Sequence, residues 1–165
     1  MKIINEANEK FKGMQDEICD FLFDFLRKIN EIEESTYKRS VELQKNKLKL
    51  GIPKHIIGPG ENELWDEFKQ QLREIIPPHI TDKLRQRGFG GSYGDPATYF
   101  YIDGDCTINF IMKSATRAVV ITHYSKGIDM MHKFVIKNEE GKWLVDAVYY
   151  GFESKPDKWS VCAIQ

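Results

Sequence analysis

The chain has 165 residues, of which 41% are hydrophobic and 30% are charged, and its formal net charge is −1. This length and balance predict one globular domain, and no run of about 18 apolar residues suggests a membrane-spanning helix. The small net charge points away from nucleic acid as a partner, and the N-terminal residues lack the apolar stretch of a secretory signal. We therefore expect a cytoplasmic protein with no membrane attachment.

The first half of the chain is predicted to be helical. Apolar residues recur at steps of three and four over residues 14–32, which indicates an amphipathic helix. A second helix is predicted over residues 35–50. A third begins near the capping residue Asn62 and ends before Pro77, and a short helix over residues 81–86 follows.

The second half of the chain shows the alternating pattern of β-strands. Asp103-Gly104-Asp105 separates two apolar runs, which predicts a hairpin. Short polar connections between the later runs indicate antiparallel neighbours. The predicted strands are residues 98–102, 106–111, 116–124, 130–137, 143–150 and 159–164. The sequence thus predicts a single α+β domain over 1–165, mainly helical over 1–87, with an antiparallel sheet of about six strands over 97–165.

Motifs for metals, cofactors and nucleophilic catalysis are not found. The glycine cluster over residues 88–94 does not match G-x-G-x-x-G and precedes a predicted strand rather than a helix. The three cysteines are far apart and lack C-x-x-C spacing, which argues against disulfides and a zinc knuckle. His123 and His132 could meet across neighbouring strands, joined by Asp129, but nothing in the sequence fixes a further ligand. We expect no metal and no cofactor.

Asp146 is the acidic residue that is the strongest candidate for a chemical role. Strict alternation places it with Leu144, Val148 and Tyr150 on one face of the strand over residues 143–150. If that face lines a cavity, desolvation would raise the pKa of Asp146 and make it a candidate general base. A hydrogen-bonded acid with a structural role is the other interpretation.

Donors for such a base would come from the strands predicted nearby. Tyr99, Tyr101 and His123 are the candidates for hydrogen bonding to a ligand beside Asp146. Tyrosine is frequent in this chain, so proximity to Asp146 alone would not indicate a site. The donors and the acid would have to converge on one point in a pocket.

Charge is distributed unevenly along the helical half. Residues 1–34 hold five Lys/Arg and nine Asp/Glu, whereas residues 38–54 hold six Lys/Arg and one Glu. Lys45, Lys47 and Lys49 belong to this basic stretch. A run of this kind is usually a solvated helix face, and the alternative is a surface that binds an acidic partner.

The C-terminal portion resembles a known family. Gly141-Lys142-Trp143 stands at the turn into the penultimate strand, Asp146 to Phe152 runs along it, and Lys158-Trp159 opens the last strand. This ending is similar to the bacterial immunity proteins of the nuclear-transport-factor-2-like fold that occur in polymorphic toxin systems. The resemblance covers roughly residues 97–165, while the helical half matches only in general character.

The resemblance implies a fold, a function and a set of contact residues. The fold would be a cone in which helices pack in a strongly curved antiparallel sheet. The function would be non-enzymatic: binding and neutralising a cognate toxin domain, which protects the producing cell. A homodimer through the open face of the sheet is also compatible with the family. Candidate partner-binding residues are Tyr149, Phe152, Glu153, Asp157, Trp159, Lys45, Lys47 and Lys49.

Two other functions stay open at this stage. The same fold also hosts small-molecule enzymes similar to ketosteroid isomerases and dehydratases, for which Asp146 or Asp103 would be the base. A ligand-binding module without catalysis is the third alternative. Fold alone does not choose among them.

Overall fold

The structure, a computed structural model, describes residues 1–165. It consists mainly of a six-stranded sheet and of helices that pack on one face of that sheet. The helices are α1 (Gln15–Lys49), α2 (Glu61–Ile75) and the short α3 (Asp82–Arg85). The strands are β1 (Lys2–Asn5), β2 (Thr107–Ser114), β3 (Arg117–Ser125), β4 (Asp129–Glu139), β5 (Lys142–Phe152) and β6 (Ser160–Cys162). The predicted α+β class is confirmed.

The strands follow the order β1-β2-β3-β4-β5-β6 across one sheet. The four pairings from β2 to β6 are antiparallel, as predicted. The first strand was not predicted, and it pairs in parallel with β2, with Ile3 beside Ile108. The sheet is therefore mixed, and it is not strongly curled. The predictions of an all-antiparallel and strongly curved sheet are wrong.

One continuous helix replaces the two that the sequence predicts over residues 14–32 and 35–50. No glycine or proline lies between those segments, so nothing interrupts the backbone hydrogen bonds of α1. The first half of α1 buries an apolar stripe that includes Phe25, Leu26 and Ile29. Neither long helix combines the length and apolarity needed to cross a membrane.

The second half of α1 lies outside the main core. No residue of 33–67 belongs to the core cluster, and Trp65, near the end of this segment, meets the core residue Phe68 with ring centroids 5.5 Å apart. This segment instead packs on itself, where the end of α1 runs beside the start of α2, and Arg39 pairs with Glu67 at 2.5 Å. We call residues 37–67 the helical arm.

The predicted hairpin around Asp103-Gly104-Asp105 does not form. Residues Phe100–Asp103 make a 3-10 turn instead of a strand. Polar side chains of α1 take the backbone N–H groups that a partner strand would use: Tyr99 donates to Asn30 Oδ1 at 3.0 Å, and Thr98 donates to Glu33 Oε2 at 2.9 Å. These contacts fix the segment against the helix, so β2 begins only at Thr107.

The sheet has an inner face, which packs against the helices, and an outer face. On β3 the burial alternates, with Val120 and Thr122 buried on the inner face and Ile121 half-buried on the outer face. Phe110 of β2 and Phe134 of β4 continue the inner face into the core. The alternation is the one expected for a sheet covered on one side.

A buried lysine organises the end of the helical arm. The Lys47 ammonium donates to the carbonyl oxygen of Lys54 at 3.0 Å and to Glu61 Oε2 at 3.1 Å. The same carboxylate accepts from the N–H of Gly58 at 2.5 Å. Gly60, at φ +85, precedes the first residue of α2 in place of the predicted cap Asn62. Lys47 and Glu61 thus hold the connection between α1 and α2.

Replacing Lys47 by alanine tests this buried pair. The change leaves Glu61 and the Lys54 carbonyl without their cation, so we expect a loss of about 2 kcal/mol in unfolding free energy and faster amide exchange over residues 51–60. The matched control is Lys45→Ala, because Lys45 is 61% exposed in its ion pair with Glu42 whereas Lys47 is 3% exposed. The control should change stability by less than about 0.5 kcal/mol. Equal effects in urea unfolding and hydrogen exchange would contradict the structural role of Lys47.

Candidate functional site

Asp146 lies at an irregularity of β5 rather than in a regular strand. Val145 and Ala147 pair with consecutive residues of β4, Ile136 and Val135, so Asp146 is the extra residue of a β-bulge. The bulge breaks the alternation on which the predicted faces of residues 143–150 depend. The prediction that Asp146 shares a face with Leu144, Val148 and Tyr150 is therefore wrong.

The Asp146 carboxylate is occupied by contacts within the chain. Its Oδ1 accepts from Thr81 Oγ1 at 3.0 Å, and its Oδ2 accepts from Lys83 Nζ at 3.3 Å. Thr81 in turn accepts from the N–H of Leu84 as the cap of α3, and its own N–H donates to the Val145 carbonyl at 3.0 Å. The acid therefore joins α3 to the sheet, which is the structural interpretation of this residue.

The other predicted acid and the predicted histidine are also paired, at separate places. Asp103 accepts from Arg27 Nε at 2.8 Å. His123 lies on the outer face, where its Nδ1 is 2.5 Å from Glu153 Oε1. His132 lies on the inner face, because it is opposite Thr122 in the ladder. The arrangement of His123, His132 and Asp129 is not formed, and no group of three or more His, Cys, Asp or Glu side chains could hold a metal ion.

Tyr99 and Tyr101 do meet, in an aromatic cluster on the inner face around His132. The ring of Tyr101 stacks on that of Tyr124 with centroids 3.9 Å apart, and its hydroxyl is 2.7 Å from His132 Nδ1. The Tyr99 hydroxyl accepts from the N–H of Gln165 at 3.0 Å. Burial raises the pKa of both tyrosines and lowers the pKa of His132 to about 4. His132 is therefore uncharged at neutral pH.

From the sequence, His132 is a possible metal ligand or a structural or surface histidine. The available signal was parity: His132 stands two residues before Phe134 and four before Ile136 in an alternating strand, and those two residues face the core. A histidine in step with buried residues is expected to be buried itself.

A groove opens beside this cluster. It has a volume of about 360 Å³ and is lined in part by Glu33, Thr98, Tyr124, Lys126 and His132. Burial raises the pKa of Glu33, although the N–H of Thr98 and Gln165 Nε2, at 3.1 Å, donate to its carboxylate. The groove is large enough for a small ligand. Glu33 and His132, however, already use their polar atoms in contacts within the chain.

Three of the five aromatic and acidic residues proposed for partner binding share the outer face. Lys133 Nζ lies 4.6 Å from the Tyr149 ring centroid and 4.3 Å from the Trp159 ring centroid. Glu153 is held by His123, as described above. Phe152 is on the inner-face side, opposite Met130, and Asp157 is exposed after β5. The charged groups of the outer face, Lys133 and Glu153, thus each have a partner within this chain.

The three proposed lysines differ from one another. Lys45 and Lys49 are exposed on the helical arm, whereas the side chain of Lys47 is buried beneath the loop after α1. A buried ammonium cannot contact a partner, so Lys47 is removed from the candidate surface. Leu48 and Leu50, which flank Lys49 at the end of α1, are exposed as well.

Comparison with protein-family models, with curated proteins and with solved structures finds no match. The resemblance of the C-terminal residues to immunity proteins therefore stays a hypothesis. The function has to be argued from the geometry of this chain.

The low pKa of His132 makes stability depend on pH. The ordinary pKa of histidine is about 6.5, so between pH 6.5 and about 4 the unfolded chain binds a proton that the folded chain does not. Stability should fall as the pH drops through this window, by about 2 kcal/mol between pH 7 and pH 5 for this residue. Urea unfolding at both pH values should show a smaller loss for His132→Gln than for the unmodified protein.

The exposed residue His55 provides the control for this experiment. His55→Gln should keep the full pH dependence. His79, whose pKa burial also lowers, contributes with the same sign in all three proteins. Identical pH dependence in His132→Gln and the unmodified protein would show that His132 is not the group that titrates.

Proposed function

We propose that this protein acts by binding another protein, as a cytoplasmic immunity protein that neutralises a cognate toxin domain. One observation carries the proposal: the groups that an enzyme would need are apart and already paired, while aromatic and aliphatic side chains remain on the surface. Asp146 contacts Thr81 and Lys83, and His123 contacts Glu153 on the other face of the sheet. Inhibition of a toxin requires a complementary surface and no reacting group.

The fold proposed for this function is a variant of the nuclear-transport-factor-2-like fold. The antiparallel order from β2 to β6 and the long helix on the inner face support it. The parallel strand β1 and the weak curl of the sheet are departures from the cone that the resemblance implies. The proposal therefore depends mainly on the C-terminal strands.

The small-molecule alternative would use the groove beside His132. Of the predicted pocket residues, only Tyr99 and Tyr101 lie near it, and the Tyr101 hydroxyl is engaged with His132. The Glu33 carboxylate accepts two hydrogen bonds from within the chain. A ligand would have to displace these contacts, so a protein partner is the better explanation of the surface.

The outer face offers one set of candidate contacts. Tyr149 and Trp159 are of the residue types that dominate interface energetics. With Phe152, Glu153 and Asp157 they remain proposed partner-binding residues. The same face is where a homodimer would form, if the chain pairs as its proposed relatives do.

A rescue assay tests the proposed function. The toxin domain encoded beside this gene would be expressed in a sensitive host, with and without this protein. We expect restored growth and a stable complex of the two proteins on a sizing column. Growth arrest that this protein does not relieve, or the absence of a complex, would reject the immunity function.

Asp146→Asn separates binding from catalysis in the same assay. The amide keeps an oxygen for Thr81 and loses the ion pair with the exposed ammonium of Lys83, so we expect a stability loss of no more than about 1 kcal/mol and full protection. Asp105→Asn, at an exposed position outside the candidate binding residues, is the matched control. If Asp146→Asn folds, as judged by circular dichroism, and yet fails to protect, the non-catalytic account of Asp146 is wrong.

A further inference from the structure

We infer that the end of the helical arm is the toxin-binding surface, and that it enters a partner cleft with an apolar floor and a rim of carboxylates. This inference rests on the proposed function and names the partner chemistry for it. We call the surface the arm tip and define it by the exposed residues Lys45, Leu48, Lys49, Leu50, Lys54, Ile56 and Ile57.

Four of the eleven exposed large hydrophobic side chains lie at the arm tip. Leu48, Leu50, Ile56 and Ile57 are 48% to 65% exposed and lie within ten residues of one another. Isolated exposed apolar residues are common on protein surfaces, whereas a cluster indicates an interaction site. The apolar side chains of the arm tip therefore predict a partner with an apolar surface.

The charge of the arm tip has one sign. No Asp or Glu occurs between Glu42 and Glu61, and this stretch carries four lysines. Glu61 pairs with the buried Lys47, which leaves Lys45, Lys49 and Lys54 on the surface. Glu42 lies at the margin and pairs with Lys45. A complementary partner is consequently acidic around its apolar centre.

The arm tip is held in one shape by contacts inside the arm. Lys47 bonds the Lys54 carbonyl, Glu61 bonds the N–H of Gly58, and the N–H of Ile52 donates to the Lys47 carbonyl at 3.1 Å. An ordered loop loses little conformational entropy on association. Four aliphatic side chains kept in water at the end of α1 and on the fixed loop after it are thus better explained by binding than by folding.

A protein cleft explains the arm tip better than a lipid surface does. Residues 38–64 contain no Phe, Tyr or Trp, and Trp and Tyr are the residues that anchor proteins at membrane interfaces. The tip also terminates a narrow arm built from two helices, a shape that suits insertion into a concave site. On the outer face, by comparison, the cation of Lys133 and the acid of Glu153 already have partners in this chain.

Two arm-tip variants test the inference against the toxin domain encoded beside this gene. Lys45→Glu/Lys49→Glu/Lys54→Glu should lower the association rate about tenfold or more at low salt, because steering by charge is lost. Leu48→Ser/Ile57→Ser should raise the dissociation rate about tenfold or more, because apolar contacts are lost. Both sets lie on the surface, so circular dichroism and unfolding should match the unmodified protein.

Lys10→Glu/Lys28→Glu/Lys113→Glu is the control with the same change in charge at exposed positions away from the arm. It should bind within about threefold of the unmodified protein. Arm-tip variants that bind the toxin as the unmodified protein does would overturn the inference and leave the proposed function standing. Failure of the unmodified protein to bind would reject both.

Vesicles of phosphatidylcholine and phosphatidylserine serve as the lipid probe, because anionic lipids attract basic segments. We expect no sedimentation of the protein with them. Sedimentation that is lost in both arm-tip variants would assign the surface to a membrane and overturn the protein-cleft assignment.

Discussion

The apolar stripe on the first half of α1 is the element on which the rest of the structure depends. A sheet with one apolar face needs a cover, and α1 supplies it through residues such as Phe25 and Leu26, which belong to the same core cluster as Phe110 and Phe134 of the inner face. The same helix turns polar groups toward the neighbouring chain. Asn30 and Glu33 take the N–H groups of residues 98 and 99, and this contact decides where the aromatic segment lies.

The buried polar side chains are paired within the chain for one common reason. Buried polar side chains are stable only when they are hydrogen-bonded, and here the partners come from distant parts of the chain. Asp146 is satisfied by α3, Glu33 by the segment after residue 97, and His132 by Tyr101. These residues therefore specify the fold. The arm tip, by contrast, keeps four aliphatic side chains in water.

The sequence was a good guide wherever the deciding interaction is local. Alternation and short turns predicted the positions of β3, β4 and β5 closely, because each strand is long and has a nearby antiparallel neighbour. The prediction was wrong where contacts between residues distant in sequence determine the structure. Four residues at a sheet edge give too short a pattern to identify β1, and the side chain of Asn30 removed the expected hairpin.

The candidate site was predicted less well than the fold, for a related reason. One additional residue in β5 changes which face every earlier side chain occupies, and no local signal marks the bulge at Asp146. Lys47 resembles its neighbours Lys45 and Lys49 in the sequence, yet only Lys47 reaches Glu61 across the arm. Asp146 and Lys47 therefore have structural roles, whereas the sequence suggested a possible general base and a possible partner-binding cation.

The uninterrupted course of α1 sets a length scale for any complex formed at the arm. From Thr36, the last buried residue of the core half, to Lys49 the helix rises about 20 Å at about 1.5 Å per residue. A molecule bound at the arm tip therefore lies roughly this distance along the helix from Thr36, and so from the half of α1 that covers the sheet. The helix is a spacer of fixed length between a partner and the core.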